Sequence, residues 1–310
     1  MSKLKTAFAL ITKKDDKRGF QKAIADNITK TDILKRMSDT VYLKLIYRLI
    51  FGRKLDLKNP QTFNEKLQWL KLHDRKPEYT TMVDKYAVKK YVADIIGEEY
   101  IIPTLGVWNH FNEIDFNALP NQFVLKCTHD SGGIVICRDK SNLDLKAAKK
   151  KIEKCLRRNY YWSGREWPYK DVKPRIIAEQ YIEDNNKEGL LTDYKFFCFN
   201  GKMKCMYVSV NSHTAKQKIQ FFDRNYNLLP IRRDDYLVFD EIPQKPNHLD
   251  DMIKIAEQLS RNIPHTRIDF YYIQNRIYFG EITFFTGSGF IPFSEKKWDY
   301  KLGSWIKLPK

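Results

Sequence analysis

The chain has 310 residues, 43% of them apolar and 14% aromatic, which suits a folded globule with a sizeable core and excludes a disordered chain. Its 55 Lys/Arg against 38 Asp/Glu leave a net charge of +17 that favours anionic partners. No recognition helix, zinc-finger spacing or RNA-binding signature accompanies that charge, so nucleic acid is not an expected partner.

The first sixty residues read as helical. The start is basic, but the apolar run Ala7 to Ile11 is too short for a secretory signal, and no stretch approaches ~20 uncharged apolar residues, so no transmembrane helix is expected. Residues 1–58 hold fifteen Lys/Arg and six Asp/Glu, a surplus of nine. Within them Ile33, Leu34, Met37, Val41, Leu45, Ile46 and Leu49 form an apolar face beside Lys35, Arg36, Lys44, Arg48, Arg53 and Lys54. Such a helix either packs on its own domain or lies on an anionic membrane surface. Thr62 and Glu65 have capping-box spacing and open a helix. The run "TMVDKYAVKKYVADIIG" reads as one further helix ending at Gly97.

Strands are expected from "EEYIIPTLGVW", then from Gln122 to Cys127, and again in "IVICRD" after a Ser131-Gly132-Gly133 turn. Ser141 and Asp144 start a basic helix, and the aromatic segment 159–174 is irregular. Strands follow in "RIIAEQYIE", "DYKFFCFNGKMKCMYVSV" and "KIQFFDRN", then the helix "LDDMIKIAEQLSRNI" and a closing hairpin. This alternation predicts a layered α+β or mixed fold. Cysteines 127, 137, 155, 198 and 205 show no C-x-x-C pair and read as reduced thiols of a cytoplasmic protein.

The closing hairpin carries the chemistry. "RIDFYYI" and "RIYFGEITFF" flank a tight turn at "QN", so pairing brings Asp269 and Glu281 together as hard oxygen ligands for magnesium. Arg267, two residues before Asp269, faces the same side. An ordinary charged surface hairpin fits the same residues. Upstream, Lys126 ends a strand beside Ser131, Gly132 and Gly133, whose backbone can approach phosphate oxygens, although taken alone these three residues read first as a plain hairpin turn. Glu179 lies on a buried-type strand, and Asp193 with Lys195 shares one face of another. His129 and His265 lack metal-ligand spacing and read as local hydrogen-bonding groups or substrate contacts.

The order of these elements resembles the ATP-grasp superfamily over residues 80–290. The whole chain resembles the TupA-like family, named for teichuronopeptide biosynthesis, in the runs "TFNEKLQWLK", "DKYAVKKYV", "FVLKCTHDSGG", "REWPYKDVKPRIIAEQYI", "DYKFFCFNGK" and "RIDFYYIQNRIYFGEITFFTGSGF". The resemblance implies an ATP-grasp fold, two α+β subdomains clasping ATP, with a helical N-terminal region over 1–75. Residues 76–310 would then form the ATP-grasp domain, with a small lid subdomain near 115–178 and a larger catalytic one over 179–295. It implies ATP and Mg²⁺ as cofactors. Lys126 and Lys89 would touch phosphates, with Ser131, Gly132 and Gly133 as the lid. Glu179, Gln180, Tyr181 and Ile182 would line the adenine hinge and Asp193 would lie near the ribose. Lys195 and Arg267 would reach the γ-phosphate, and Asp269 and Glu281 would hold magnesium. Thr283 stands where many of these enzymes have Asn. Gly287, Ser288 and Gly289 would cradle acceptor or phosphate.

The implied activity is an ATP-dependent ligase joining an amine to a carboxylate through an acyl phosphate. The family context adds an anionic glycan or sugar substrate, a uronic acid, with Tyr160, Tyr161, Trp162, Arg165, Trp167 and Tyr169 as a sugar-facing surface or a hydrophobic cover. A lipid-linked intermediate would bring the protein to the inner membrane face. A sugar kinase on the same ATP site competes with this reading. So does a glycosyltransferase, although the chain has adjacent Asp pairs rather than Asp-x-Asp, and so does a non-catalytic adaptor.

Overall fold

The protein is described by a computed structural model over residues 32–183, 191–212, 214 and 216–309, so the helix expected before residue 32 lies outside the described residues. Helix α1 is the single turn Asp32–Lys35, and α2 spans Asp39–Phe51. The Ser38 side chain accepts from the Val41 amide to start α2, and Gly52, at φ +68°, ends it. Its buried face is Tyr42, Leu43, Ile46 and Tyr47, closed by Leu55 and Phe290. Val41 and Leu45, expected on that face, are 53% and 38% exposed. The two tyrosines take the core positions instead, which rotates the helix away from its aliphatic stripe.

Helix α3 (Phe63–His73) starts in the capping box formed by Thr62 and Glu65. The next helix is two: α4 (Glu78–Val83) and α5 (Ala87–Ile96). Asp84 is extended between them at ψ 112°, and its Oδ1 accepts from the amides of Tyr86 and Ala87 while Oδ2 pairs with Arg175 at 2.6 Å. A side chain that caps the second helix stops the first. Gly97, at φ +109°, ends α5 as expected.

Strands β1 (Thr104–Trp108), β2 (Phe123–Cys127), β3 (Ile134–Cys137) and β4 (Ile176–Gln180) form an antiparallel sheet in the order β1-β4-β2-β3. Helix α6 (Leu145–Leu156), N-capped by Asp144, covers it with Ala148, Ile152 and Cys155. The short α7 (Tyr161–Gly164) follows. The second sheet is antiparallel throughout, in the order β7-β6-β5-β8-β9. Its strands are β5 (Asp193–Phe199), β6 (Lys202–Val210), β7 (Lys218–Asp223), β8 (His265–Ile273) and β9 (Arg276–Thr283). The β5–β6 turn at Asn200-Gly201 and the β8–β9 turn at Gln274-Asn275 have two positive φ values each, the hairpin turns whose twist matches the strands.

Helix α8 (Leu249–Leu259) packs on this sheet, and α9 (Lys296–Trp305) packs against α3. The molecule is α+β, with two sheet-centred subdomains. The first sheet begins before residue 115, with β1, and runs through Gln180. Helix α3, expected in an N-terminal region, buries Phe63, Leu67 and Leu70 in the core of the larger subdomain.

Candidate functional site

The two sheets enclose a cleft of about 410 Å³. Its floor on the larger sheet is set by strand register: Asp269 pairs with Glu281 and Arg267 with Thr283 across β8 and β9. A bulge follows, where Gly280 has no partner and the register shifts to Phe270 with Phe279. A Cβ at Gly280 would lie 3.0 Å from the Asp269 carbonyl oxygen, so the bulge brings the backbones close beside the carboxylates. The Arg267 guanidinium donates to both Asp269 oxygens at 2.6 Å, to Glu281 Oε1 at 2.9 Å and to Thr283 Oγ1 at 3.1 Å. Lys195, opposite Asp269 on β5, donates to its Oδ2 at 2.6 Å and lies 3.4 Å from Asp193. Burial raises the Asp269 carboxyl above its ordinary range against the pull of Arg267 and Lys195. Burial would also raise Glu281, but Arg267, Lys85 and Lys195 outweigh it and hold it at about 2.

The facing sheet supplies a second charged cluster. Glu179 on β4 is buried, with Lys89 of α5 on one carboxylate oxygen at 2.6 Å and Lys126 of β2 on the other. Burial opposes its charge, and the two lysines together hold it down at about 2. Its side chain is therefore the counterion of the two expected phosphate lysines. Gln180, Tyr181 and Ile182 continue into an apolar side pocket of about 140 Å³ with Val124, Ile136 and Leu191. There the Tyr181 hydroxyl accepts from Arg138.

Other expected residues divide between the cleft and the core. Ser131 and Gly132 line the cleft, and Gly132 has φ +112°. Gly133 is turned inward, where a Cβ would meet the sulfurs of Cys155 and Cys127 at 2.4 and 2.7 Å. Gly287 and Ser288 also line the cleft, both at positive φ. The carbonyls of Ser288 and Gly289 are held by Gln68, and Lys71 adds a second hydrogen bond to that of Ser288. Tyr160 and Tyr169 face the cleft, whereas Trp167 stacks on Tyr79. Arg165, expected on a sugar-facing surface, is 2% exposed. Its guanidinium lies over Tyr42 and Trp162 at 4.6 Å and donates to the Leu34 carbonyl, fastening α1 and α2. His129 bonds the carbonyls at the end of α6, and His265 bonds the Cys198 carbonyl among Phe63, Phe197 and Phe199. Both hold backbone.

Lys85, Glu166, Tyr207 and Ser212 line the cleft without having been expected there. Lys85 lies in the run "DKYAVKKYV" and Glu166 in the run "REWPYKDVKPRIIAEQYI", while Tyr207 and Ser212 had no signal. Ser212 donates to Asp193, anchoring the carboxylate beside Lys195.

A family model described as TupA-like ATPgrasp matches residues 65–307. The chain belongs to the TupA-like ATP-grasp family. No curated protein matches the sequence significantly. Among solved structures it is similar to the D-alanine–D-alanine ligase of Helicobacter pylori, at 17% identity over 80% of this chain and 70% of that one, with TM-score 0.43. It is similar to the Bacillus anthracis D-alanine–D-alanine ligase complexed with ATP, at 15% identity over 66% and 53%, with TM-score 0.37. It is also similar to the ATP-grasp ligase PsnB complexed with a phosphomimetic precursor variant, Mg and ADP, at 12% identity over 85% and 65%, with TM-score 0.36. The chain thus spans about half the length of the Bacillus enzyme.

Magnesium suits the donor set of this TupA-like site. Among the described residues no three His, Cys, Asp or Glu side chains form a self-contained metal cage. Two facing carboxylates with a hydroxyl beside them match an ion that is usually held by one or two carboxylates plus substrate phosphates.

Proposed function

We propose that the protein is an ATP-dependent carboxylate–amine ligase that joins an amino acid or simple amine to a uronic-acid carboxylate in a bacterial surface glycan or its precursor. The observation that carries this reading is the register pair Asp269–Glu281, bridged by Arg267 and flanked by Lys195, facing Lys126 and Lys89 across one cleft. Asp269, Glu281 and Thr283 would hold magnesium, which when bound neutralises charge on the phosphates. The lysines and Arg267 bind and orient a triphosphate tail, and the apolar pocket at Gln180–Ile182 accepts its base. The substrate carboxylate attacks the γ-phosphorus, giving an acyl phosphate and ADP, and an amine then displaces phosphate. Ser131 and Gly132 at the cleft edge exclude the water that would hydrolyse the intermediate.

An anionic sugar acid is also consistent with the basic balance of the chain, which raises its local concentration. The reading extends to a cytoplasmic enzyme working at the inner membrane face on a lipid-linked acceptor.

The test measures ADP and phosphate release with uronic acids crossed against amino acids, followed by the mass of the product. Amine-dependent release of both, with an amide product, is expected. ADP formed with a phosphorylated sugar and no free phosphate would make the protein a kinase instead.

A further inference from the structure

Glu166 is the one carboxylate of the cleft that the ATP and magnesium reading leaves unused. It is 3% exposed, lines the cleft, and accepts a hydrogen bond from the Ser288 hydroxyl. Among the described residues no cation lies within ion-pair distance of it. The cations around it are committed elsewhere: Lys71 to the carbonyls of Gly164 and Ser288 at 2.6 and 2.8 Å, Arg267 to Asp269, Glu281 and Thr283. Lys71 and Arg267 ease its burial at longer range, but neither binds its oxygens, so a cationic ligand can supply the direct partner.

The surroundings are shaped for that group. A Cβ at Gly164 would lie 2.5 Å from Ser288 Oγ and 3.3 Å from Glu166 Oε1, so the bare glycine leaves room for the pair. Ser288 sits at φ +53° after Gly287 at +57°, and Lys71 and Gln68 pin this loop from behind. The rings of Tyr160 and Tyr169, 4.9 Å apart and edge to face, line the cleft with it. A carboxylate flanked by aromatic rings is a receptor for an ammonium group.

We infer that Glu166, oriented by Ser288, is the amine subsite: it receives the acceptor as R–NH₃⁺ and takes one proton from it. The freed nitrogen lone pair then forms the C–N bond to the acyl phosphate carbon. The carbon–oxygen bond to the phosphoryl group breaks with its electrons leaving on inorganic phosphate, and the second nitrogen proton goes to that phosphate. This assignment rests on the ligase reading for its chemistry but not for its binding step. Burial raises the Glu166 carboxyl, against Lys71, Ser288 and Arg267 and with Glu281, which suits a proton acceptor. Tyr160 and Tyr169 are the other titratable groups facing it.

The test uses the full chain, with glucuronate as carboxylate and either alanine or hydroxylamine, which is uncharged at neutral pH, as nucleophile. In Glu166→Gln, isotope exchange in ATP driven by glucuronate stays near wild type and hydroxamate formation is retained. Alanine amide formation falls by about 10²-fold or more, and Glu166→Asp recovers part of it. Wild-type rates with alanine, or an equal fall in all three readouts, would overturn the assignment. A turnover-free arm compares thermal shifts by ethylammonium chloride with those by sodium chloride at equal ionic strength. A shift in wild type that Glu166→Gln lacks is expected, and no ethylammonium-specific shift in wild type overturns the subsite. Ethylammonium binding without any uronate-driven exchange would reject the ligase reading and leave the cation subsite standing.

Discussion

Glu179 shows how one buried side chain organises half of the cleft. It holds Lys89 and Lys126 together, and all three are largely shielded from solvent. Glu179→Gln leaves two buried ammonium groups facing each other without a counterion, so a loss of about 3 kcal/mol in denaturant unfolding at pH 7 is expected. The sign of the pH effect follows from its carboxyl being held at about 2 against an ordinary 4.5. Its contribution is present above pH 4.5 and is lost as pH falls from there toward 2. The variant should lack that part of the acid slope, and added inorganic phosphate should restore stability to it more than to wild type. A variant as stable as wild type at neutral pH would show that the cluster is not coupled in this way. Arg165 and Glu166 are adjacent, yet one fastens α2 and the other enters the cleft, because Arg165 takes the left-handed conformation at φ +56° and turns the chain. Nothing in "GREWPY" announces that turn for a non-glycine residue.

At the level of elements, the fit of α9 onto α3 is set by a missing side chain. A Cβ at Gly303 would meet Gln61 O at 2.3 Å, Thr62 C at 2.6 Å and Phe63 N at 2.7 Å, all backbone atoms that cannot rotate away. Gly303→Ala should therefore lower stability by about 1–3 kcal/mol despite its better helix propensity. Ser304→Ala, on the exposed neighbour, should stay within ~0.5 kcal/mol, and a urea midpoint series distinguishes the two. If both behave alike, the helix crossing is not tight. The caps and hairpins were legible because their signals are local. Thr62 and Glu65, Gly97, and the Gln274-Asn275 turn that registers Asp269 on Glu281 each act within a few residues. The break at Asp84 was not legible, since its cap is completed by Arg175, far along the chain. Nor was the rotation of α2, which depends on Tyr42 and Tyr47 meeting Leu55 and Phe290.

For the whole molecule, the cleft lies where two antiparallel sheets face each other, and it was the resemblance to the ATP-grasp family that implied roles for Lys126, Glu179, Lys195, Asp269 and Glu281, which line it, but none for Tyr207 on β6. What that resemblance does not supply is the outer surface. The outward side of α2 carries Val41, Lys44, Leu45 and Arg48 at helical spacing, all exposed, so an apolar pair lies beside two cations on a helix already anchored by its other face. No helix among the described residues is long and apolar enough to cross a membrane. Two shallow apolar side chains give little insertion energy alone. Each Lys or Arg near an anionic surface adds about 1 kcal/mol, screened within a Debye length of ~8 Å at physiological salt. Binding through α2 should then be strong at low salt on phosphatidylglycerol vesicles, absent on neutral ones, and reversed by moderate salt. Lys44→Glu with Arg48→Glu should weaken it without lowering ATP turnover, because neither residue lines the cleft. Co-sedimentation across a salt series is the measurement. Wild-type protein that stays in solution with anionic vesicles at low salt would remove the membrane from the proposal and leave the ligase chemistry to act on a soluble acceptor.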